Sequence, residues 1–292
     1  MTHVDTPQSR CRFGIARCDI TPPVGIYHRM WGAASHDRAT GVHRPLTATA
    51  LVFQPIDVGR PAAAVGRIFN PPGDAGGVEI RPTEPVADAL QVIVAVDLCL
   101  LWAKEMDNLL THVCAATGLE RQQLAVTFSH THAAGLMGLE RGNLPGGDLI
   151  APFLDTLATR IADIVQQARA SGQPVNISYG AGRCSLAAQR DFFDAVSGQY
   201  VCGFNPEAPA DDTVLVARIT TTHGQPVATI VNYACHPTTL AWQNTLISPD
   251  YPGAMRELVE TATGVPCVFL QGASGDLGPR EGFVGDTAVA DR

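Results

Sequence analysis

The chain has 292 residues and a formal net charge of -8 without a long basic run, which makes nucleic acid and anionic membrane surfaces poor partners. Hydrophobic residues make up 46% and charged residues 16%, enough for one large α/β domain or two small ones. No apolar run reaches membrane-spanning length and the polar start, residues 1–10, has no hydrophobic signal core, so the expected compartment is the cytoplasm.

Glycine (28) and proline (21) are plentiful and aromatics sparse, which points to tight turns and long loops instead of a helical bundle. The eight cysteines include no C-x-x-C pair, and Cys99, Cys235 and Cys267 sit in apolar runs. Reduced, buried thiols are therefore expected over disulfides or a cysteine zinc knuckle.

Residues 12–20 alternate as an early strand that Thr21-Pro-Pro23 stops, because proline cannot continue a ladder. The 27–44 segment carries His28, His36 and His43 in an exposed-loop composition that could also line a pocket. A second strand is expected over 46–55. Residues 57–90, rich in proline and glycine, read as a long hairpin or lobe inserted in a single domain spanning 1–292. The apolar run 92–97 reads as a strand buried on both faces, with Asp97 at its end facing a site or capping a helix. A helix over 101–117 stops at Gly118.

Leu124-Ala-Val-Thr-Phe128 is a short apolar strand that runs directly into Ser129-His-Thr-His132. Residues two apart on an extended chain point to one side, so strand geometry continued to residue 132 would aim both imidazoles at one point. Such a pair suits a metal ion, while the plainer reading is a strand exit bonded to its own loop. A glycine-rich loop follows, then a helix over 148–170 and a strand over 175–180. Residues 213–222 and 226–233 read as a hairpin turning at His223-Gly224. That hairpin ends in Tyr233-Ala-Cys-His-Pro-Thr238, repeating the design of a strand delivering a histidine. His236 then completes a three-histidine set with His130 and His132, and zinc suits imidazole ligands. Asp250 fits either a helix cap or a carboxylate behind a metal histidine, and Asp276, in a glycine-rich loop, either such a carboxylate or an ordinary turn residue. A helix over 252–263 and a buried strand over 265–271 complete a mixed α/β sheet covered by helices in an α/β/β/α layering, antiparallel hairpins included. Residues 285–292 read as a capped helix just begun, so further chain is expected after Arg292.

These stretches together resemble the N-terminal, metal-binding part of the neutral/alkaline non-lysosomal ceramidase family. Gly14-Ile-Ala-Arg-Cys-Asp-Ile-Thr-Pro-Pro23 is similar to its opening segment, and Gly41-Val-His-Arg-Pro-Leu46 to its next motif. Ser129-His-Thr-His132 resembles its Thr-His-Thr-His signature, Asn232 to Thr239 its strand-His-Gly-Thr-Ser motif, and Ile247-Ser-Pro-Asp250 and Gly275-Asp276 its later Gly-Asp motifs. Arg190, Asn205-Pro206 and Asp212 follow the same order. The resemblance implies one zinc ion, with His130 and His236 as ligands, His132 as a catalytic neighbour and Arg190 holding substrate charge, in an amidase acting on a lipid-like amide. Two further ligands of the family, a glutamate and a tyrosine, belong to a later part of its chain. Ala133-Ala-Gly135 replaces the family's Ser-Gly-Pro. The alternatives are an ester or lactone hydrolase on the same site, and a metal-free, non-enzymatic relative that serves as a binding module. A Rossmann dehydrogenase is disfavoured because no G-x-G-x-x-G follows an early strand.

Overall fold

In a computed structural model of the chain, residues 8–56 and 90–292 are described; the expected lobe over 57–90 lies outside them except for Leu90. The strands in chain order are β1 (Gln8–Asp19), β2 (Gly41–Val42), β3 (Thr47–Gln54), β4 (Gln91–Val96), β5 (Leu124–Phe128), β6 (Gln173–Arg183) and β7 (Ala187–Gln189). They continue with β8 (Asp191–Asp194), β9 (Gln199–Cys202), β10 (Thr213–Thr221), β11 (Pro226–Tyr233), β12 (Leu246–Ile247), β13 (Cys267–Gln271) and β14 (Leu277–Pro279). The helices are α1 (Ala103–Thr117), α2 (Ile150–Ala170), α3 (Tyr251–Thr263) and the short α4 (Thr287–Ala290).

Eight strands form one mixed sheet in the order β13-β11-β10-β6-β1-β3-β4-β5. The pairs β4–β5 and β11–β13 are parallel and the rest antiparallel. A parallel pair needs a crossover, and here α1 links β4 to β5 while α3 links β11 to β13. The mixed α/β class with antiparallel hairpins is the one implied by the sequence; the other sheets among the described residues are two-stranded.

Alternation along the strands builds two cores. In β3, Ala48, Ala50 and Val52 face the helices, where α2 packs on β1 and β3 and α1 packs on α2. Leu51 points the other way and joins Phe13, Val175, Ile177, Ile219 and Val268 in a second cluster. The sheet curls, and β13 at one end of the strand order lies against β4 and β5 at the other. This curl brings the exit of β5 beside the exit of β11, although five strands separate them in the sheet.

The stops read from sequence hold. Gly118 and Gly264 close α1 and α3 in the left-handed conformation (φ 71° and 72°), which costs glycine little. Helix α2 starts at Ile150 instead of 148, because a 3-10 turn over Gly147–Leu149 intervenes and Asp148 makes no cap. The segment 184–212, to which the sequence assigned no strand, forms β7, β8 and β9; β7 pairs with β14 through Leu277↔Gln189.

Candidate metal centre

The strand β5 ends at Phe128, and Ser129 and His130 continue hydrogen bonding to the β4 side through Val96 O (2.9 Å) and Leu98 O (3.0 Å). His130 then adopts φ 66°, a left-handed conformation that costs a side-chain-bearing residue energy and survives only when its surroundings hold it. The expectation that extended geometry persists to residue 132 is corrected by this kink. The two histidines converge because the chain turns at the first of them, not because of pleat alternation. Thr131 locks the turn by donating from Oγ1 to Ser248 O (2.8 Å) and accepting from Ala133 N. Gly135, at φ 82°, lets the loop pass the 27–28 backbone; a Cβ there would meet Tyr27 O at 2.6 Å.

His236 arrives from the β11 exit. Tyr251 Oη and Gln271 Nε2 both donate to Cys235 O, which fixes the backbone before it. The three imidazoles form a near-equilateral set. Ring centroids lie 4.6 Å apart for His130 and His236, 5.2 Å for His130 and His132, and 5.3 Å for His132 and His236.

Their hydrogen bonds fix the tautomers of two rings. His130 Nδ1 lies 2.8 Å from Cys99 O, and His236 Nδ1 lies 2.8 Å from Ser274 O. A carbonyl only accepts, so each Nδ1 carries hydrogen and each Nε2 keeps its lone pair. That is the orientation in which proteins present imidazole to a metal. His132 Nε2 is buried without a partner. Burial, followed by the nearby His130, His236 and Arg190, pushes the His132 pKa down to about 3. Burial likewise lowers His236 to about 4, with Arg190 and His130 adding to it against the Ser274 carbonyl.

A donor set of Cys99, His130 and His132 also lies within 4.8 Å of one another and could hold a metal ion. One observation weighs against Cys99: its Sγ faces His130 Nδ1 at 3.6 Å, the nitrogen already committed to the Cys99 carbonyl.

Arg190 follows β7 and is held by the turn around Asp276. Its Nε and Nη2 donate to Gly275 O at 2.9 and 2.7 Å, and its backbone N–H donates to Asp276 O at 2.8 Å. Its charge acts on both His132 and His236.

The three carboxylates offered for the place behind a metal histidine are engaged elsewhere. Asp97 accepts from Arg256 Nη1 and Nη2 and from Thr47 N and Oγ1. Asp250, at φ 59°, caps α3 through Tyr251 N and ties down Leu240 N. Asp276 accepts from Gln189 Nε2. Backbone carbonyls, which no sequence pattern marks, take that place for His130 and His236.

The 27–44 histidines are less exposed than their composition implies. His28 is 2% exposed and its ring spans His36 Nε2 and Ala133 O, both at 3.1 Å. Burial and the neighbouring His36 lower its pKa to about 4, although its bond to Ala133 O works the other way. An unfolded histidine protonates near 6.5 and His28 only near 4, so the unfolded state binds more protons between those values and stability falls as pH falls through that window. The urea midpoint is therefore expected to drop between about pH 7 and about pH 5. A midpoint that stays constant would contradict a neutral His28. A cavity of about 310 Å³ lined by Ile20, Phe153 and Arg160 lies at the start of α2 and includes none of these histidines.

All eight cysteines are free, and Cys99, Cys235 and Cys267 are buried, as expected. No helix among the described residues is long and apolar enough to cross a membrane.

No family model and no curated protein matches the sequence. Two of the solved structures that are similar are as follows. One is neutral ceramidase from Pseudomonas aeruginosa, with TM-score 0.69 and 19% identity over 99% of this chain and 43% of that one. The other is a ceramidase complexed with C2, with TM-score 0.65 and 20% identity over 94% of this chain and 39% of that one. The chain thus spans less than half the length of either, and over that span it has the fold of a neutral ceramidase region.

Proposed function

We propose that the chain carries the histidine half of a zinc-dependent amidase site, with His130 and His236 as ligands through Nε2, His132 as proton carrier and Arg190 as the charge-stabilising group. The observation that carries this reading is the pair of Nδ1–H···O=C bonds that leave Nε2 free on two neighbouring imidazoles whose ring centroids lie 4.6 Å apart. The ceramidase fold supports it, since those proteins act on a lipid amide by name. The donor set fits zinc, which accepts neutral imidazole readily.

When bound, zinc supplies Lewis-acid polarisation of a carbonyl and acidifies water. The remaining chemistry belongs to the chain. His132 is neutral at working pH and its buried Nε2 is free to take a proton from attacking water and return it to the leaving amine. Arg190 keeps a fixed positive charge beside the histidines, held from behind by Gly275 O, and stabilises the negative charge that grows on the carbonyl oxygen.

The test is a matched panel of N-acyl amides and acyl esters. The wild type is expected to hydrolyse the amides, and Arg190→Gln to lower kcat by about 10²-fold. Turnover of esters alone would replace the amidase with the ester or lactone reading.

A further inference from the structure

Large apolar side chains that remain exposed are mostly scattered singly along the sequence, but six of them fall between residues 192 and 204: Phe192, Phe193, Val196, Tyr200, Val201 and Phe204. Val196 is 98% exposed and Tyr200 76%. Single exposed apolar residues need no explanation, whereas a contiguous group marks a surface that meets something apolar.

Among the described residues, β8 and β9 pair only with each other, in the register Phe192↔Val201 and Phe193↔Tyr200. Residues directly opposite share a face, and neighbours along a strand take opposite faces. Phe192 with Val201 therefore covers one side of the ribbon and Phe193 with Tyr200 the other, the last two rings meeting edge-on at 5.3 Å between centroids. Val196 stands in the turn, which Asp194 tightens by accepting from Val196 N and Ser197 N. Both faces and the tip are thus apolar. The base of the ribbon is fixed: Gly203 N donates to Arg190 O (2.7 Å), Asn205 N to Gln189 O (2.9 Å) and Asn205 Nδ2 to Asp191 O (3.0 Å). The ribbon springs from the residue whose charge acts on His132 and His236.

A docked protein covers one face of such a ribbon and leaves the other wet, whereas acyl chains surround an inserted tip on all sides. Charge narrows the surface further. No Lys or Arg occurs from 191 to 217, and Asp191 and Asp194 flank the aromatics of β8. Anionic headgroups repel such a segment, while the outermost ammonium of a choline headgroup attracts its carboxylates. Aromatic side chains settle at that level of a lipid surface.

We propose that the β8–β9 ribbon anchors the chain to a zwitterionic, choline-headed lipid surface, which Val196 and the apolar side chains of both strands enter while Asp191 and Asp194 stay among the headgroups. The anchor goes beyond the functional reading and does not depend on it, since binding needs no turnover.

Sedimentation of the chain with phosphatidylcholine vesicles measures the partition of the wild type, of Phe193→Ser combined with Tyr200→Ser, and of Leu258→Ser, which removes an exposed leucine from α3. The wild type and Leu258→Ser are expected to bind alike, and the double variant at least about tenfold more weakly. Vesicles enriched in phosphatidylserine are expected to bind less of the wild type. Val196→Trp puts a reporter at the tip, and its emission is expected to shift to the blue with phosphatidylcholine vesicles relative to the wild type. A double variant that binds like the wild type, a loss as large in Leu258→Ser, an unshifted Val196→Trp emission, or binding that appears only with phosphatidylserine overturns the anchor. So does a wild type that ignores the vesicles; a dimer that the double variant loses would then assign the ribbon to a second copy of the chain. Amide hydrolysis enters none of these readouts, so failure of the anchor leaves the proposed site standing, and failure of the site leaves the anchor.

Discussion

Alanine at His236 is expected to lower amide hydrolysis more than about a thousandfold, and alanine at His130 to do the same. The two should resemble each other because each removes one of the two proposed ligands, and neither is replaced by another donor. His132→Ala is expected to be equally damaging to turnover for a different reason, the loss of the proton carrier. The pattern separates the roles: the first two variants lose bound zinc and the third keeps it. Steady-state kinetics alongside zinc content in the three proteins reads both effects. If His236→Ala retained near-wild-type turnover, the assignment of the site would be wrong.

The second large effect concerns stability. Asp97 is 1% exposed and makes a two-pronged ion pair with Arg256 at 2.8 and 2.7 Å, while Thr47 fills its remaining acceptor sites. The pair joins the end of β4 to α3 and so holds together the two crossover units whose strand exits carry the histidines. Asp97→Asn leaves a buried guanidinium without its counter-charge, for which about 3–5 kcal/mol of destabilisation is expected. Asp97→Leu combined with Arg256→Met should recover most of that loss, since removing both charges removes the desolvation cost as well. Urea denaturation of the three proteins decides it; a loss below about 1 kcal/mol in Asp97→Asn would show that the pair is dispensable. Burial alone would raise the Asp97 pKa, yet Arg256 and the Thr47 bonds hold it below the ordinary value of 3.8. A depressed carboxyl contributes stability that is present above its unfolded value and lost as pH falls through the folded one. This contribution therefore fails only in acid below about 3.8, a window lower than that of His28.

What the sequence revealed and what it hid follow physical lines. The strand over 124–128, the run at 92–97 and the 213–233 hairpin were legible because their pattern is local, and so were the glycine stops at 118 and 264. The convergence of His130, His132 and His236 was legible as a hypothesis because two strands end in the same way. The left-handed turn at His130 was not, since only its distant anchors at Leu98 and Ser248 impose it. The partner of Asp97 was hidden for a similar reason: Arg256 lies 159 residues away. The strands β7 to β9 escaped notice because they are short, and because β8 and β9 are largely exposed and lack a clear alternation.

The central claim is that two Nε2 lone pairs, on His130 and His236, form the zinc-holding core of the site. Calorimetric titration of the metal-stripped chain with zinc tests it most directly, run on the wild type, His130→Ala, His236→Ala and Cys99→Ala. One zinc per chain is expected in the wild type and in Cys99→Ala, with binding lost in both histidine variants. Loss in Cys99→Ala with retention in His236→Ala would contradict the claim and move the metal to the Cys99, His130 and His132 set.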